Sequence, residues 1–333
     1  MRRFFAFVAC AISSVTPALS YANDNLVAGP SNAWGVLSGS GGFVGSGTLT
    51  MTRTSHCAVQ MSGNVFLAGG QGSPTTWEIR DVSGGLVTNG TLFASRDSSF
   101  KCTRLNNGNV MITGGFPNSA SWEIRNSSGG LVSNGTLWTF RRGHSVTLLS
   151  SGNVYIAGGE VSTGIWEIRD PNGNLVAVNT PSTQLWAGRL GHCDALLPNG
   201  NIFLGGGSGS TSTWEIRSGS NGSLVSNGTF FATRDGGFTC SRLLDGNLFI
   251  AGGGVNPGSW EIRGQNGGFV SNGTLSVNRG NHGAQVQSDT GNVLITGGVF
   301  SPDTWELRSS TGSQVSTGNL DLQHGSGHTL TEY

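Results

Sequence analysis

The sequence is poor in charge of either sign. Charged residues make up 11% of the 333 residues, 18 basic side chains are balanced by 18 acidic ones, and Lys101 is the only lysine. A chain without net charge or a basic cluster lacks the electrostatic footprint by which proteins follow a phosphate backbone. We therefore expect no nucleic-acid partner.

Long apolar segments are also scarce. The clearest is a run of about a dozen residues behind Arg2 and Arg3, which is shorter than the roughly 20 residues needed to cross a bilayer. Small residues follow it at Ser20 and Ala22, as at the cleavage site of an export signal. We predict that residues 1–22 are a signal peptide cleaved after about Ala22, that the mature chain is secreted or periplasmic, and that it has no membrane anchor.

Glycine, in contrast, is abundant, with 56 residues against 9 prolines. It punctuates an internal repeat, in which Trp-Glu-Ile-Arg, once Trp-Glu-Leu-Arg, follows a Gly-Asn pair, an apolar run and a Gly-Gly pair. Successive tryptophans of this tetrapeptide lie 45, 44, 48, 46 and 45 residues apart. The tetrapeptides begin at Trp77, Trp122, Trp166, Trp214, Trp260 and Trp305.

One repeat has the pattern of four short strands. In the first copy the strand-like stretches cover residues 56–61, 65–68, 76–80 and 86–93, and glycine-rich turns separate them. No window shows a helical period. Units of this length, whose sheet cannot bury both faces alone, are typical of β-propeller blades.

The two ends of the chain predict how the ring closes. Residues 25–34 match the second and third strands of a repeat without a first strand, and residues 328–330 match a first strand with nothing after it. Joined, they form one more blade and remove the exposed strand edges that invite aggregation. We therefore predict an all-β fold in which residues 23–333 form one seven-bladed propeller of four-stranded blades, closed by pairing of the N- and C-terminal segments.

The repeats resemble those of the kelch family, in the bacterial form that is similar to the central domain of galactose oxidases. The clearest copy runs from Arg142 through His144 and an apolar strand to Gly159, and Trp166 follows. The resemblance covers nearly all of the mature chain and implies the propeller fold. It implies little about activity, since kelch propellers include oxidases, partner-binding domains and carbohydrate-linked proteins.

The same resemblance defines what a copper oxidase of this kind would need. Its metal would be held by two tyrosines and two histidines, with one tyrosine crosslinked to a cysteine. Here Tyr155 lies inside the apolar strand of its repeat and Tyr333 is the terminal residue, so the tyrosines do not match that pattern. We expect no copper site and no cofactor.

Most ionisable side chains fall on repeat positions. Six Glu and six Arg lie in the tetrapeptides, and six further Arg precede the first strands. We expect them to form a structural ladder of charge-assisted hydrogen bonds; the alternative is a ring of ligand-binding arginines.

The histidines also follow the repeat, at or just before a first strand. Zinc ligands converge on one ion, whereas equivalent positions of a propeller are spread round a ring. We therefore expect structural histidines and no metal site. The residues are His56, His144, His192, His282, His324 and His328.

Four cysteines share one position, just inside a first strand. Since the chain carries a predicted export signal and these cysteines fall on two pairs of adjacent repeats, disulfides Cys57–Cys102 and Cys193–Cys240 are one interpretation. Four buried thiols are the other, because bridging requires Cα atoms within about 7 Å.

Ligand binding is expected on the face formed by the Gly-Gly loops and the loops that enter each first strand, since loops carry function in rigid scaffolds. Aromatic rings beside charged groups suit sugars or peptides. The alternative is that these aromatics cap the edge of the outer strand. The candidate ligand-binding residues are Phe93, Arg96, Trp138, Arg141, Arg142, Trp186, Arg189, Phe231 and Arg234.

Two functional hypotheses follow. The first is a secreted, monomeric, non-catalytic binding or scaffold propeller that recognises a protein or glycan through one loop face. The alternative is a carbohydrate-active or oxidase-type enzyme with its site at the channel mouth. The sequence favours the first, because acid–base catalysis needs groups with separated pKa values and the ionisable groups here are nearly symmetric.

Overall fold

The computed structural model describes residues 25–28, 32–37, 43–61, 63–320 and 329–332. Their regular structure is short β-strand, apart from a 3-10 turn at Pro181–Thr183. The strands are short because glycine pairs interrupt the apolar runs; Gly69 and Gly70, for example, both adopt positive φ, where a β-carbon would be strained. No helix in these residues could span a membrane. The predicted signal peptide lies outside them.

The strands form four-stranded sheets that follow the repeat, and six blades each use one stretch of chain. Three strands precede these blades: β1 (Asn25–Ala28), β2 (Ala33–Leu37) and β3 (Phe43–Thr48). Blade 1 contains β4 (Cys57–Met61), β5 (Asn64–Ala68), β6 (Thr76–Asp81) and β7 (Leu86–Thr91). After β8 (Arg96–Ser98), blade 2 contains β9 (Lys101–Arg104), β10 (Val110–Thr113), β12 (Ser121–Arg125) and β13 (Leu131–Thr136), while β11 (Phe116–Pro117) pairs with β8.

The other contiguous blades have the same order. Blade 3 contains β14 (Ser145–Leu148), β15 (Val154–Ala157), β16 (Trp166–Arg169) and β17 (Leu175–Val178). Blade 4 contains β18 (Cys193–Leu196), β19 (Ile202–Gly205), β20 (Thr213–Arg217) and β21 (Leu224–Thr229). Blade 5 contains β22 (Phe238–Arg242), β23 (Leu248–Gly252), β24 (Ser259–Arg263) and β25 (Phe269–Thr274). Blade 6 contains β26 (Gly283–Val286), β27 (Val293–Thr296), β28 (Thr304–Arg308) and β29 (Gln314–Asn319), and β30 (Thr329–Glu332) comes last.

Both ends of the described chain meet in one further four-stranded sheet, ordered β3-β2-β1-β30. In it β30 runs antiparallel to β1, from Asn25 opposite Glu332 to Ala28 opposite Thr329, and it also contacts β4 and β26. The all-β propeller is confirmed. Seven blades were predicted from the sequence, and the structure has six contiguous blades. The remaining sheet is assembled from both ends of the chain, and we call it the composite sheet.

Three surfaces position the residues discussed below. The loop face carries the turns between second and third strands, such as residues 69–75 and 158–165. The hairpin face is the opposite one and carries the hairpins between third and fourth strands, such as residues 81–85 and 218–223. The outer wall is formed by the fourth strands, β7, β13, β17, β21, β25 and β29.

The tetrapeptide tryptophans close the seams between blades. A β-carbon at Gly90, on the outer strand of blade 1, or at Gly129, in the hairpin of blade 2, would collide with the ring of Trp77. The indole is therefore packed between two glycines, and its Nε1 donates to the carbonyl oxygen of Thr91 (3.1 Å). Two glycines, one from each of two neighbouring sheets, enclose the indole ring in the same way at Trp34, Trp122, Trp214 and Trp260.

Neighbouring innermost strands are joined by the cysteines at two seams. Disulfide Cys57–Cys102 links blades 1 and 2, and Cys193–Cys240 links blades 4 and 5, with Cα atoms 5.9 and 5.8 Å apart. Of the two interpretations that the sequence left open, the structure therefore contains the bridged one.

Buried histidines join innermost regions at other seams. His144 Nε2 lies 2.8 Å from Thr113 Oγ1 and His192 Nε2 lies 2.9 Å from Ser145 Oγ, in each case on the preceding blade. Burial, together with the charge of nearby Arg189, lowers the pKa of His192 to about 3, so this side chain is neutral and structural. His282 makes the equivalent contact at the seam between blades 5 and 6. The predicted roles of His324 and His328 concern residues outside the described ones.

Candidate functional site

Four arginines of the predicted ligand site are fully buried, namely Arg96, Arg141, Arg189 and Arg234. In blade 3, Arg141 Nε lies 3.0 Å from Glu167 Oε1. Its Nη1 donates to the carbonyl oxygens of Gly158 (2.7 Å) and Ile165 (2.9 Å), at the two ends of a loop-face turn. These arginines therefore hold the turns in place and are not accessible to a ligand.

A second arginine completes each of these ion pairs. Arg169 Nη2 lies 2.8 Å from Glu167 Oε2, so the carboxylate is flanked by two guanidinium groups, and it also accepts the backbone N–H of Trp138 (3.1 Å). We name this arrangement the Arg–Glu–Arg triad. Its six copies are Arg53–Glu78–Arg80, Arg96–Glu123–Arg125, Arg141–Glu167–Arg169, Arg189–Glu215–Arg217, Arg234–Glu261–Arg263 and Arg279–Glu306–Arg308.

Burial and hydrogen bonds shift the pKa values of several triad residues. Burial lowers the pKa of Arg96 to about 10, against the opposing charge of Glu123, which still leaves it protonated. Burial alone would raise the pKa of Glu78, but hydrogen bonds from Arg80 and Thr50 outweigh this effect and hold that pKa below its usual value. The composite sheet has Gly35 and Leu37 at the equivalent tetrapeptide positions and packs Leu37 in an apolar cluster instead.

Arg142 is the partly exposed arginine of the predicted set. Its Nη2 lies 2.6 Å from Glu160 Oε2, and its guanidinium carbon lies 5.6 Å from the centre of the Phe116 ring. Glu160 and Phe116 belong to the loop-face turns of blades 3 and 2. The structure therefore places Arg142 on the predicted face, at the seam between those blades.

The four predicted aromatic residues are exposed, but not on the loop face. The ring of Phe231 lies 5.9 Å from that of Phe269 on the outer strand of the next blade, and Trp186 lines a cleft with Leu224, also on an outer strand. The predicted placement is thus corrected to the outer wall, which agrees with the alternative that these residues cap outer strands. The physical reason is that each backbone N–H is held by the buried triad glutamate of the next blade, as for Phe93, Trp138, Trp186 and Phe231.

The loop face presents a different apolar set. Its turns carry Phe116, Val161, Val255 and Phe300, each about half exposed or more, and Phe140 precedes a first strand on the same face. Ser162 Oγ donates to the carbonyl oxygen of Phe140 (3.2 Å), which fixes that residue beside the turn of blade 3. These residues were not predicted from the sequence, because they occupy positions that vary between repeats, such as Phe116 directly after a Gly-Gly pair and Phe300 two residues after one.

The described tyrosine and histidine residues do not fit the copper site of the resembled oxidases. Tyr155 is fully buried in blade 3, where its ring lies 5.5 Å from that of Trp166, and burial raises its pKa. The Nε2 atoms of His144 and His192 are engaged by neighbouring hydroxyl groups. These side chains do not converge, so we derive no reaction through copper.

One carboxylate without a repeated counterpart lies among the innermost strands. Asp194 on β18 accepts a hydrogen bond from Thr147 Oγ1 on β14. Burial raises the pKa of Asp194, while the Thr147 bond and the charge of Lys101 oppose the rise. Glycoside hydrolysis usually requires a second carboxyl group, and among the described residues no cluster of three His, Cys, Asp or Glu side chains could hold a metal ion.

The structure also contains two clefts that were not predicted from the sequence, both at the seam between blades 3 and 4. One, of about 420 Å³, opens on the hairpin face; the other, of about 500 Å³, opens on the outer wall. The signal that could have found them is the repeat spacing, which rises to 48 residues between Trp166 and Trp214.

Comparison with known proteins supports the fold. No protein-family model and no curated protein matches the chain. Among solved structures, a copper-bound fungal alcohol oxidase of the AA5 family has a TM-score of 0.64 at 18% identity, over 83% of this chain and 68% of that one. A protein of unknown function from Desulfotomaculum acetoxidans has a TM-score of 0.67 at 12% identity, over 93% and 99% of the two chains. The protein YjhT has a TM-score of 0.58 at 16% identity, over 80% and 97%. At identities this low, the similarity shows the fold alone.

Proposed function

We propose that this chain is an exported, non-catalytic kelch-type propeller that binds a protein or glycan through its loop face. The observation that carries the proposal is the set of exposed apolar side chains on that face. Exposed apolar groups rimmed by polar residues mark interaction sites on soluble proteins. The anchors are Phe116, Phe140, Val161, Val255 and Phe300.

Polar groups beside these anchors would give the interaction its orientation. Arg142 and Glu160 form an ion pair next to Phe116, and both side chains are exposed enough to exchange this bond for a contact with a ligand. Interfaces commonly combine an apolar centre with such a polar rim. The loop face thus suits a ligand with apolar groups and a few hydrogen-bonding groups.

The buried network supports binding by keeping the loops rigid. The first arginine of each triad ties the two ends of a loop-face turn, as Arg141 does through Gly158 and Ile165. A surface that is already ordered loses less conformational entropy when a ligand binds. The repeated charges therefore serve the function indirectly.

Ring closure is part of the same proposal. The composite sheet would act as a seventh blade, supported by the pairing of β30 with β1 and by its contacts with β4 and β26. Removing residues 329–333 from the mature chain should then expose the edge of β1 and lower the unfolding temperature. An unchanged unfolding temperature would contradict closure by β30.

The binding proposal is tested with two matched double variants. The loop-face variant is Phe116→Ser/Phe300→Ser, and the control on the outer wall is Phe93→Ser/Phe231→Ser; all four side chains are about half exposed or more, so both variants should fold. Ligands are captured from the secreted fraction of the producing cells and then titrated against each protein. We expect the loop-face variant to lose affinity at least tenfold and the wall variant to retain it.

The enzymatic alternative has one supporting observation, the fold similarity to the copper-bound alcohol oxidase. It would be favoured if the copper-treated mature chain released hydrogen peroxide from primary alcohols or sugars, and if Asp194→Asn abolished that release. Binding that persists without turnover would support the proposed function instead.

A further inference from the structure

We infer that the seam between blades 3 and 4 is a second binding site, on the hairpin face and outer wall, for a neutral oligosaccharide. The site is separate from the loop face. It can therefore hold or fail independently of the proposed function.

The repeat is broken at this seam in three places. The outer strand of blade 3 has Asn179 opposite Trp166, where blades 1, 2, 4, 5 and 6 have glycine. Fourteen positions separate Leu175 from Arg189, against ten between Leu131 and Arg141. The hairpin of blade 4, residues 218–223, has six residues where the other contiguous blades have five. In a repeat protein, insertions collected on one surface often mark a binding site.

The additional residues are held firmly in place. Trp166 Nε1 donates to the carbonyl oxygen of Thr183 (2.7 Å), at the end of the 3-10 turn. From the other side of the seam, Arg217 Nη2 donates to the carbonyl oxygen of Gln184 (2.6 Å). The inserted segment is therefore anchored to both blades and forms a fixed wall.

The two clefts flank the longer hairpin. The cleft of about 420 Å³ reaches it through Ser218 and Ser220, and the cleft of about 500 Å³ reaches it through Ser223. Both volumes lie in the range of small-ligand sites. A chain-like ligand could therefore occupy both clefts by crossing one hairpin.

The cleft linings are rich in neutral hydrogen-bonding groups. The hairpin-face cleft contains Ser150, Asn153 and Asn201. The side-chain amides of the two asparagines have no hydrogen-bond partner within the described part of the protein, so donors and acceptors remain for a ligand. Amide and hydroxyl groups of this kind match the hydroxyl groups of a sugar.

Charge and shape narrow the ligand class further. The ionisable residue in the two linings is Arg217, which is already paired with Glu215. A charged ligand would therefore lose its hydration without gaining a counter-ion. Trp186 lines the wall cleft and is about half exposed, so its ring offers a flat apolar surface for the C–H face of a pyranose.

The test is calorimetric titration of the mature chain with malto-, cello-, chito- and xylohexaose as neutral probes and with hexagalacturonate as the anionic probe. We expect at least one neutral probe to bind and hexagalacturonate not to bind. Trp186→Ala should weaken binding at least tenfold, and Asn153→Ala at least fivefold. Trp138→Ala is the matched control, because Trp138 occupies the same repeat position at another seam; its effect should stay within twofold.

Several results would overturn the inference. One is that no neutral probe binds, and another is that hexagalacturonate binds as tightly as the neutral probes. A third is that Trp186→Ala and Trp138→Ala have equal effects. A fourth is that Trp186→Ala abolishes the binding of a protein and not of a sugar. The loop-face variant Phe116→Ser/Phe300→Ser should leave saccharide binding unchanged. A loss of saccharide binding in that variant would place the site on the loop face and contradict the inference, while failure of the loop-face ligand assay alone would contradict only the proposed function.

Discussion

Glu167→Gln should destabilise the propeller strongly. The carboxylate is fully buried and lies 3.0 Å from Arg141 and 2.8 Å from Arg169. The amide keeps the shape of the side chain but removes the charge, which leaves two buried guanidinium groups without a counter-ion. Breaking a buried ion pair from one side costs about 3–5 kcal/mol, which for a chain of this length corresponds to an unfolding temperature lower by roughly 5–8 °C.

The measurement is urea unfolding followed by tryptophan fluorescence, together with calorimetry. Arg142→Gln is the control, because that side chain forms a half-exposed pair with Glu160, and such pairs contribute about 1 kcal/mol or less. The triple variant Arg141→Met/Glu167→Leu/Arg169→Leu imitates the apolar composite sheet and should recover at least half of the loss. If the free energy of unfolding of the Glu167→Gln variant were within about 1 kcal/mol of the wild-type value, the structural role of the triad would be refuted.

Three further predictions concern the seams. Cys57→Ala/Cys102→Ala should lower the free energy of unfolding by about 4 kcal/mol, the loop-closure value for a 45-residue separation; an unchanged urea midpoint would contradict this. The folded-state pKa of His192, about 3, lies below the usual value of 6.5, so its stabilisation is complete above pH 6.5 and is lost as the pH falls towards 3. At pH 5 the loss amounts to about 2 kcal/mol of unfolding free energy. His192→Gln should remove that part of the pH dependence of the unfolding temperature. Gly129→Ala should lower the free energy of unfolding by at least about 1 kcal/mol more than Gly108→Ala. Both glycines have φ near +80°, but only a β-carbon at Gly129 would meet a tryptophan ring. Equal losses of stability would contradict the seam packing.

Repetition made the fold predictable. The Gly-Asn and Gly-Gly pairs locate strand ends, and the matched segments around Asn25 and Thr329 predicted the pairing of the two chain ends. The structural roles of His144, His192 and His282 and of the repeated glutamates also followed from their repeated placement, since a position that recurs from blade to blade serves the packing that the blades share.

The candidate site was less predictable, because the surface that each loop side chain reaches depends on how the loop packs against the next blade. Trp138 and Arg141 are three residues apart and looked like one site. Both bind the buried Glu167, but the side chain of Trp138 is exposed while Arg141 is fully buried. The loop-face anchors occupy positions such as Phe116 and Phe300 that no repeat pattern singles out. The clefts beside Trp186 depend on insertions, which a search for similarity disregards.

The most direct test of the binding proposal compares one ligand against three proteins. A ligand captured from the secreted fraction is titrated against the wild-type mature chain, the loop-face variant Phe116→Ser/Phe300→Ser and the wall variant Phe93→Ser/Phe231→Ser. The proposal predicts a loss of at least tenfold in affinity for the loop-face variant and a change within twofold for the wall variant. Equal affinity of the wild type and the loop-face variant would contradict it.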